Sequence, residues 1–232
     1  MIESNLTVNK SLKISKEEIL KDYYLINESR NLSLIGRKEV FMGRAKFGVF
    51  GDGKELPQIV MSKFFKNGDF RSGYYRDQTF MMAIDQLNPS QFFAQLYAHT
   101  DINFDPHSGG RQMNCHFGTR LLNDKGEWKT QTDMKNSVSD ISCVSGQMPR
   151  IVGLGYASKL YRENKNLSNI PNFSNNGNEV VFGTIGDAST SEGHFWESIN
   201  ACGVLQIPVI MSIWDDGYGI SVPSEYHTTR KD

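Results

Sequence analysis

Glu179-Val180-Val181-Phe182-Gly183-Thr184-Ile185-Gly186-Asp187-Ala188-Ser189-Thr190-Ser191-Glu192, carried on through Gly193 to Tyr218, is the stretch whose reading decides the fold. Val180 to Ile185 is a short β-branched and aromatic run of the kind that forms a buried strand. The polar turn after it suits a helix start, since Ser189 and Glu192 have capping-box spacing. Phe195, Ile199, Cys202 and Leu205 then recur at helical intervals, and Pro208 opens a second apolar run, Val209 to Trp214. Strand, helix and strand in this order predict a parallel, right-handed βαβ unit in an α/β fold, with both strands ending on one edge of the sheet.

Each strand ends in carboxylate: Asp187 after the first, Asp215 and Asp216 after the second, ahead of the turn Gly217-Tyr218-Gly219. Ligands of open α/β sheets bind beyond the carboxyl ends of the strands, where a helix N-terminus offers N–H groups and partial positive charge. Hard oxygen ligands beside such amides describe a Mg²⁺-diphosphate site. The spacing equally permits Asp187 to be a helix cap and Asp215-Asp216 a turn, because Asp and Gly are common turn residues.

Gly186-Asp187, followed by Asp216 29 residues after Asp187, resembles the thiamine-diphosphate motif that begins Gly-Asp-Gly and ends Asn-Asn. Asp187 to Gly193 and Asp216-Gly217-Tyr218-Gly219-Ile220-Ser221 are similar to the alpha part of the decarboxylating first component of 2-oxoacid dehydrogenase complexes, branched-chain members above all. The resemblance implies that Asp187 and Asp216 ligate Mg²⁺ by side chain and Tyr218 by its main-chain oxygen. It extends the cofactor contacts to Gly186, Ala188 and Ser189. The chain departs from the pattern at Ala188, where the family has glycine, and at Asp215 and Asp216, where it has asparagine. Trp214 stands where the family often has a phosphate-contacting arginine.

Bulk properties set wider limits. With 232 residues, 38% of them hydrophobic, the chain can bury a substantial core. A net charge of −1 gives no field that points to nucleic acid. The apolar runs are too short to span a bilayer, so no membrane is expected. Met1 to Ser15 is polar and lacks the apolar core of an export signal. Three widely spaced cysteines without a CxxC fit reduced thiols and a cytoplasmic location.

From the N-terminus, Ser15-Lys16-Glu17-Glu18 opens a helix predicted to run to about Leu34. Gly51-Asp52-Gly53 repeats the cofactor triplet literally, yet Met81 stands 29 residues past Asp52, so the triplet reads as a turn. Helices are expected over Glu55 to Lys66, Thr79 to Leu87 and Pro89 to Tyr97. Residues 1–70 form a helical and glycine-rich segment, and 71–232 the cofactor-binding α/β domain. Between the helices, Gly73-Tyr74-Tyr75-Arg76-Asp77 combines a planar cation with a phenol, chemistry suited to phosphate. The resemblance gives Tyr75 and Arg76 to the diphosphate.

Asp101 to Gly110 reads as a loop, and Gly110-Arg111-Gln112-Met113 with His116 is similar to a family segment, which makes His116 a candidate active-site neighbour. Leu122 to Asn136 reads as an exposed excursion. Ser142-Cys143-Val144-Ser145-Gly146-Gln147-Met148-Pro149 precedes a helix that fades after about Glu163. The resemblance implies that Ser142 and Val144 line the aminopyrimidine ring and that Gln147 belongs to a monovalent-cation site. Gly153-x-Gly155 is better explained by close helix packing than by phosphate binding, since no strand or third glycine accompanies it. Lys165 to Asn178 is a polar loop.

The resemblance as a whole implies decarboxylation of a 2-oxoacid with acyl transfer to a lipoyl group on a partner acyltransferase. It also implies a beta part, separate or fused, that supplies the activating glutamate. The chain is expected to be an N-terminal fragment, inactive alone. Pyruvate, acetoin or transketolase-type chemistry are alternatives. So is a non-catalytic scaffold in which Ala188, Trp214 and the double Asp mark a decayed site.

Overall fold

The computed structural model describes residues 14–167 and 170–229. The reading of the polar N-terminus therefore lies almost wholly outside the described residues, as do two positions of the Lys165 to Asn178 loop. The βαβ unit is present: β3 is Val181–Gly186, α6 is Gly193–Leu205 and β4 is Val209–Trp214. β3 and β4 pair in parallel along their whole length, from Val181 opposite Val209 to Gly186 opposite Trp214. Every residue of β3 is buried. Gly183 is required there, because a Cβ would lie 2.5 Å from Ile151 Cδ1 and 2.8 Å from Met211 Cε.

The helix start differs from the expectation. Ser189 caps nothing; α6 begins only at Gly193, with Glu192 at its N-cap. Residues Ala188–Ser191 wind into a 3₁₀ turn instead. Thr190 N donates to Asp187 O at 3.0 Å and Glu192 N to Ser189 O at 3.3 Å, so the tighter turn satisfies groups that a cap would otherwise serve.

Two further strands complete a parallel four-stranded sheet, β1 (Phe70–Ser72) and β2 (Asn136–Ser137), in the order β2-β1-β3-β4. The sequence signals neither. β1 is three residues long with a charged centre, and β2 is the last residue of the supposed excursion and its successor. Much of 122–135 is exposed, but Asn136 is buried, its amide bonded to the Gln131 and Met134 carbonyls. All four carboxyl ends face one edge, which gathers segments 73–77, 138–147, 186–191 and 215–220.

Helices cover both faces. α1 (Lys16–Phe41), capped by Ser15 Oγ, runs well past Leu34; α2 (Glu55–Ser62), α3 (Gln78–Ala83) and α4 (Pro89–Leu96) follow it. Gly36 does not end α1, because its missing side chain lets the helix sit against the Phe50 ring, 2.5 Å from where a Cβ would be. Leu32, Phe80, Met81, Phe92 and Phe182 share one core cluster. On the opposite face, α5 (Met148–Glu163) joins α6 over Val181 and Ile185, which alternate with Phe182 along β3. Gly155 does serve close packing, with Ile207 and Val209 3.0 Å from its would-be Cβ, whereas Gly153 faces open space. Asp52 pairs with Arg37 at 2.7 Å within a turn, as read. No helix among the described residues is long and apolar enough to cross a membrane.

Arg71 at the centre of β1 is fully buried and uses all its donors. Nε binds Asp77 Oδ2 at 2.6 Å, and Nη1 binds Ser137 Oγ at 2.8 Å and Asp140 Oδ1 at 3.0 Å. Nη2 reaches Tyr74 O and Asp140 Oδ2, each at 2.9 Å. Asp77 also accepts from Thr184 Oγ1 on β3 at 2.5 Å and from Trp214 Nε1 on β4 at 2.8 Å. Breaking a buried pair leaves an uncompensated charge, so Asp140→Ala should lower unfolding stability by about 3–5 kcal/mol. Urea unfolding checks this, and a loss under about 1 kcal/mol would deny the cluster its structural role.

Candidate active site

The carboxyl edge of the sheet encloses one principal cavity of about 440 Å³, within the range usual for cofactor sites. Its diphosphate end, on the expectation above, is built from three adjacent segments. Gly186, Asp187, Ala188 and Ser189 leave β3; Tyr75 and Arg76 lie on the 3₁₀ turn after β1; Tyr218 and Gly219 come from the hairpin after β4. Ser142, Val144 and His116 line the same space. Asp216 does not line it but reaches its rim through Arg76.

Neither carboxylate oxygen of Asp187 makes a hydrogen bond, although both are buried. The nearest cation is Arg76, with Nη1 3.8 Å from Asp187 Oδ1. The same guanidinium holds Asp216 Oδ2 at 2.5 Å, so both carboxylates converge on one side chain. Burial pushes the Asp187 carboxyl above its ordinary value; nearby main-chain N–H groups oppose this and the charges of Asp216 and Asp215 add to it. Asp215 is turned away, its Oδ1 accepting from Gly217 N at 2.8 Å, so its role is the turn. Among the described residues no three His, Cys, Asp or Glu side chains form a metal cluster. The expected set needs only two carboxylates and one main-chain oxygen, and Asp187 oxygens free of hydrogen bonds fit a cation.

Each departure from the family pattern has a structural place. Ala188 has no left-handed backbone that would require glycine, and its Cβ lies 2.7 Å from the would-be Cβ of Gly219, so the missing side chain at Gly219 makes room for it. The buried Trp214 indole donates to Asp77 Oδ1 at 2.8 Å. Its carbonyl accepts from Arg76 Nη1 at 2.8 Å and so fixes the remaining arginine. Gln147 Nε2 donates to Thr184 O at 2.9 Å, which ties its amide to β3.

His116 is buried, with Nδ1 3.1 Å from Asn114 O and Nε2 3.0 Å from Ser142 Oγ. A carbonyl can only accept, so Nδ1 carries a proton toward Asn114 O, while Nε2 shares a hydrogen bond with the Ser142 hydroxyl. The Val144 carbonyl is likewise engaged, 3.0 Å from His194 Nε2. Sequence reasoning missed His194. It also missed Tyr74, Val49, Met113, Ile141 and Ile220, which line the cavity. Tyr74 had a signal in its adjacency to Tyr75; Val49 arrives from a distant loop and had none.

The comparisons agree with this geometry. Residues 29–232 match the family described as dehydrogenase E1 component. The chain is 26% identical over 212 residues to the human mitochondrial 2-oxoisovalerate dehydrogenase subunit alpha, covering 91% of this chain and 40% of that protein. Against the Bacillus subtilis (strain 168) 2-oxoisovalerate dehydrogenase subunit alpha it is 28% identical over 183 residues, 78% of this chain and 46% of that one. A Caenorhabditis elegans mitochondrial counterpart is 27% identical over 182 residues, with 78% and 35% covered. The chain thus spans less than half the length of these relatives. A match over most of its residues, on a parallel sheet with the expected cavity, makes the chain a member of the dehydrogenase E1 component family.

Proposed function

We propose that this chain carries the alpha-type half of a thiamine-diphosphate site that decarboxylates a 2-oxoacid, branched-chain substrates favoured. On this reading a beta part, fused or separate, completes the enzyme, and the acyl group passes to a lipoyl group on a partner acyltransferase. The relatives named above, all subunits of 2-oxoisovalerate dehydrogenases, support the substrate class. The observation that carries the reading is Asp187: a buried carboxylate with no hydrogen bond, in a cavity beside a guanidinium.

Asp187, Asp216 and the Tyr218 carbonyl would hold Mg²⁺, and Tyr75 and Arg76 the diphosphate. Thiamine diphosphate, when bound, supplies the nucleophilic carbon and electron sink that decarboxylation needs. The chain's own contribution is position and exclusion of water. Arg76 is oriented by the Trp214 carbonyl, so its fork reaches an anion without a search through rotamers. Ser142 and Val144 line the ring end. His116 Nε2, 3.0 Å from Ser142 Oγ, holds that hydroxyl in one orientation. Val49, Met113 and Ile141 supply apolar wall.

Titration calorimetry of thiamine diphosphate into the full-length protein should give binding with Mg²⁺ and none with EDTA. The Asp187→Ala, Asp216→Ala double variant should lose at least about 100-fold in affinity, since charged hydrogen-bonded contacts contribute about 1.5–3 kcal/mol each. Absence of binding by well-folded protein containing both parts would sink the assignment in favour of a scaffold.

The raised carboxyl of Asp187 gives a second expectation. An acid whose folded value is raised contributes most to stability below its unfolded value, and that contribution is lost as pH rises through the folded value. With EDTA at pH 7, Asp187→Asn should therefore melt a few degrees above wild type. The difference should shrink as pH falls and vanish below about 3.9, the ordinary aspartate value. Thermal melts across that range check the sign, and Mg²⁺ should stabilise wild type alone.

A further inference from the structure

We propose that Tyr74, which neither the family resemblance nor the motif reading assigns to the cofactor, is a further anion-binding residue of this site, donating its phenolic proton to the diphosphate beside Arg76. The inference rests on the cofactor reading above and adds a contact to it. Tyr74 lines the cavity next to Gly186 and Asp187, and its hydroxyl lies 3.3 Å from the would-be Cβ of Gly186. That places the oxygen where β3 delivers the acidic turn.

The direction of the hydroxyl follows from its one hydrogen-bond neighbour. Arg76 Nη1 is 3.4 Å from Tyr74 Oη, and a guanidinium has donors only, so Arg76 gives and Tyr74 accepts. The phenol's own proton must then point elsewhere, and no acceptor among the described residues takes it. A charged donor and a neutral one thus stand side by side in the lining of the cavity, a pairing that suits a phosphate oxygen. Burial pushes the phenol well above its ordinary value, so it keeps that proton at any working pH.

The backbone holds the ring in place. Tyr74 O accepts from Arg71 Nη2 at 2.9 Å and Tyr74 N donates to Asp77 Oδ2 at 3.3 Å, so the residue hangs from the buried charge cluster. Its ring meets Tyr75 edge to face at 5.0 Å, with the Arg76 guanidinium 5.9 Å from its centroid. Trp214 spends its only side-chain donor on Asp77, so β4 contributes no side-chain donor from that position. Tyr74 supplies the donor that the Trp214 position lacks.

The test is calorimetric titration, with Mg²⁺, of thiamine diphosphate, inorganic diphosphate and thiamine into full-length protein purified with the subunits that accompany it. Tyr74→Phe should weaken both diphosphate ligands about tenfold and leave thiamine unchanged. Equal affinities for inorganic diphosphate in wild type and Tyr74→Phe would overturn the assignment and leave the cofactor reading standing. Wild type that binds no diphosphate ligand would overturn both. Should Tyr74→Phe melt well below wild type, 3-fluorotyrosine at position 74 replaces it. That ring keeps its hydroxyl and is a stronger donor, so it must tighten diphosphate binding, and unchanged affinity would refute the proposal.

Discussion

A guanidinium with no exposed surface, Arg71, sits at the middle of the shortest way across the sheet. Taken out of water, its charge has to be matched inside the protein, and Asp77 and Asp140 do so from opposite sides. Their remaining lone pairs are taken by Thr184 on β3, Trp214 on β4 and the Phe117 amide at 2.9 Å. Strand ends that would otherwise be joined only by short ladders are thereby tied at their carboxyl edge. The turn carrying Tyr74, Tyr75 and Arg76 leaves directly from this knot, so the cavity inherits its geometry from the ion cluster more than from apolar packing.

The site has its own share of strain. Asp187 is buried with no hydrogen bond to its carboxylate, and Ile220 at the tip of the β5–β6 hairpin (β5 Tyr218–Gly219, β6 Val222–Pro223) has φ 58°, a left-handed conformation costly for a β-branched side chain. Cys115, one residue before His116, has φ 57°. Such positions persist only where the surroundings hold them, and here the surroundings are the knot and the fully paired β3–β4 ladder.

The halves of the fold differ in how legible they are in the amino-acid pattern, and the reason is physical. β3 and β4 are six-residue apolar strands flanking a helix of ordinary length, so pattern and structure coincide. β1 carries Arg71 at its centre, and β2 is two residues of Asn and Ser. Both are stabilised by polar pairing that no hydrophobic period can register. Among site residues, Asp187, Arg76 and Ser142 were legible because a motif names them. Asp77, which no motif names, is buried and pairs with Arg71, five residues before Arg76. Val49 reaches the cavity, and His194 the carbonyl of the lining residue Val144, through tertiary placement alone.

Trp214 changes meaning in this light. Position 214 has an indole rooted in Asp77, which accepts its proton while Thr184 shares the same carboxylate. An arginine restored at 214 would meet a carboxylate already committed to Arg71, and a smaller residue would leave an acceptor stranded beside a buried charge. Positions 77, 184 and 214 therefore act as one hydrogen-bonded unit, in which removing any one side chain leaves a buried polar group of another unpaired.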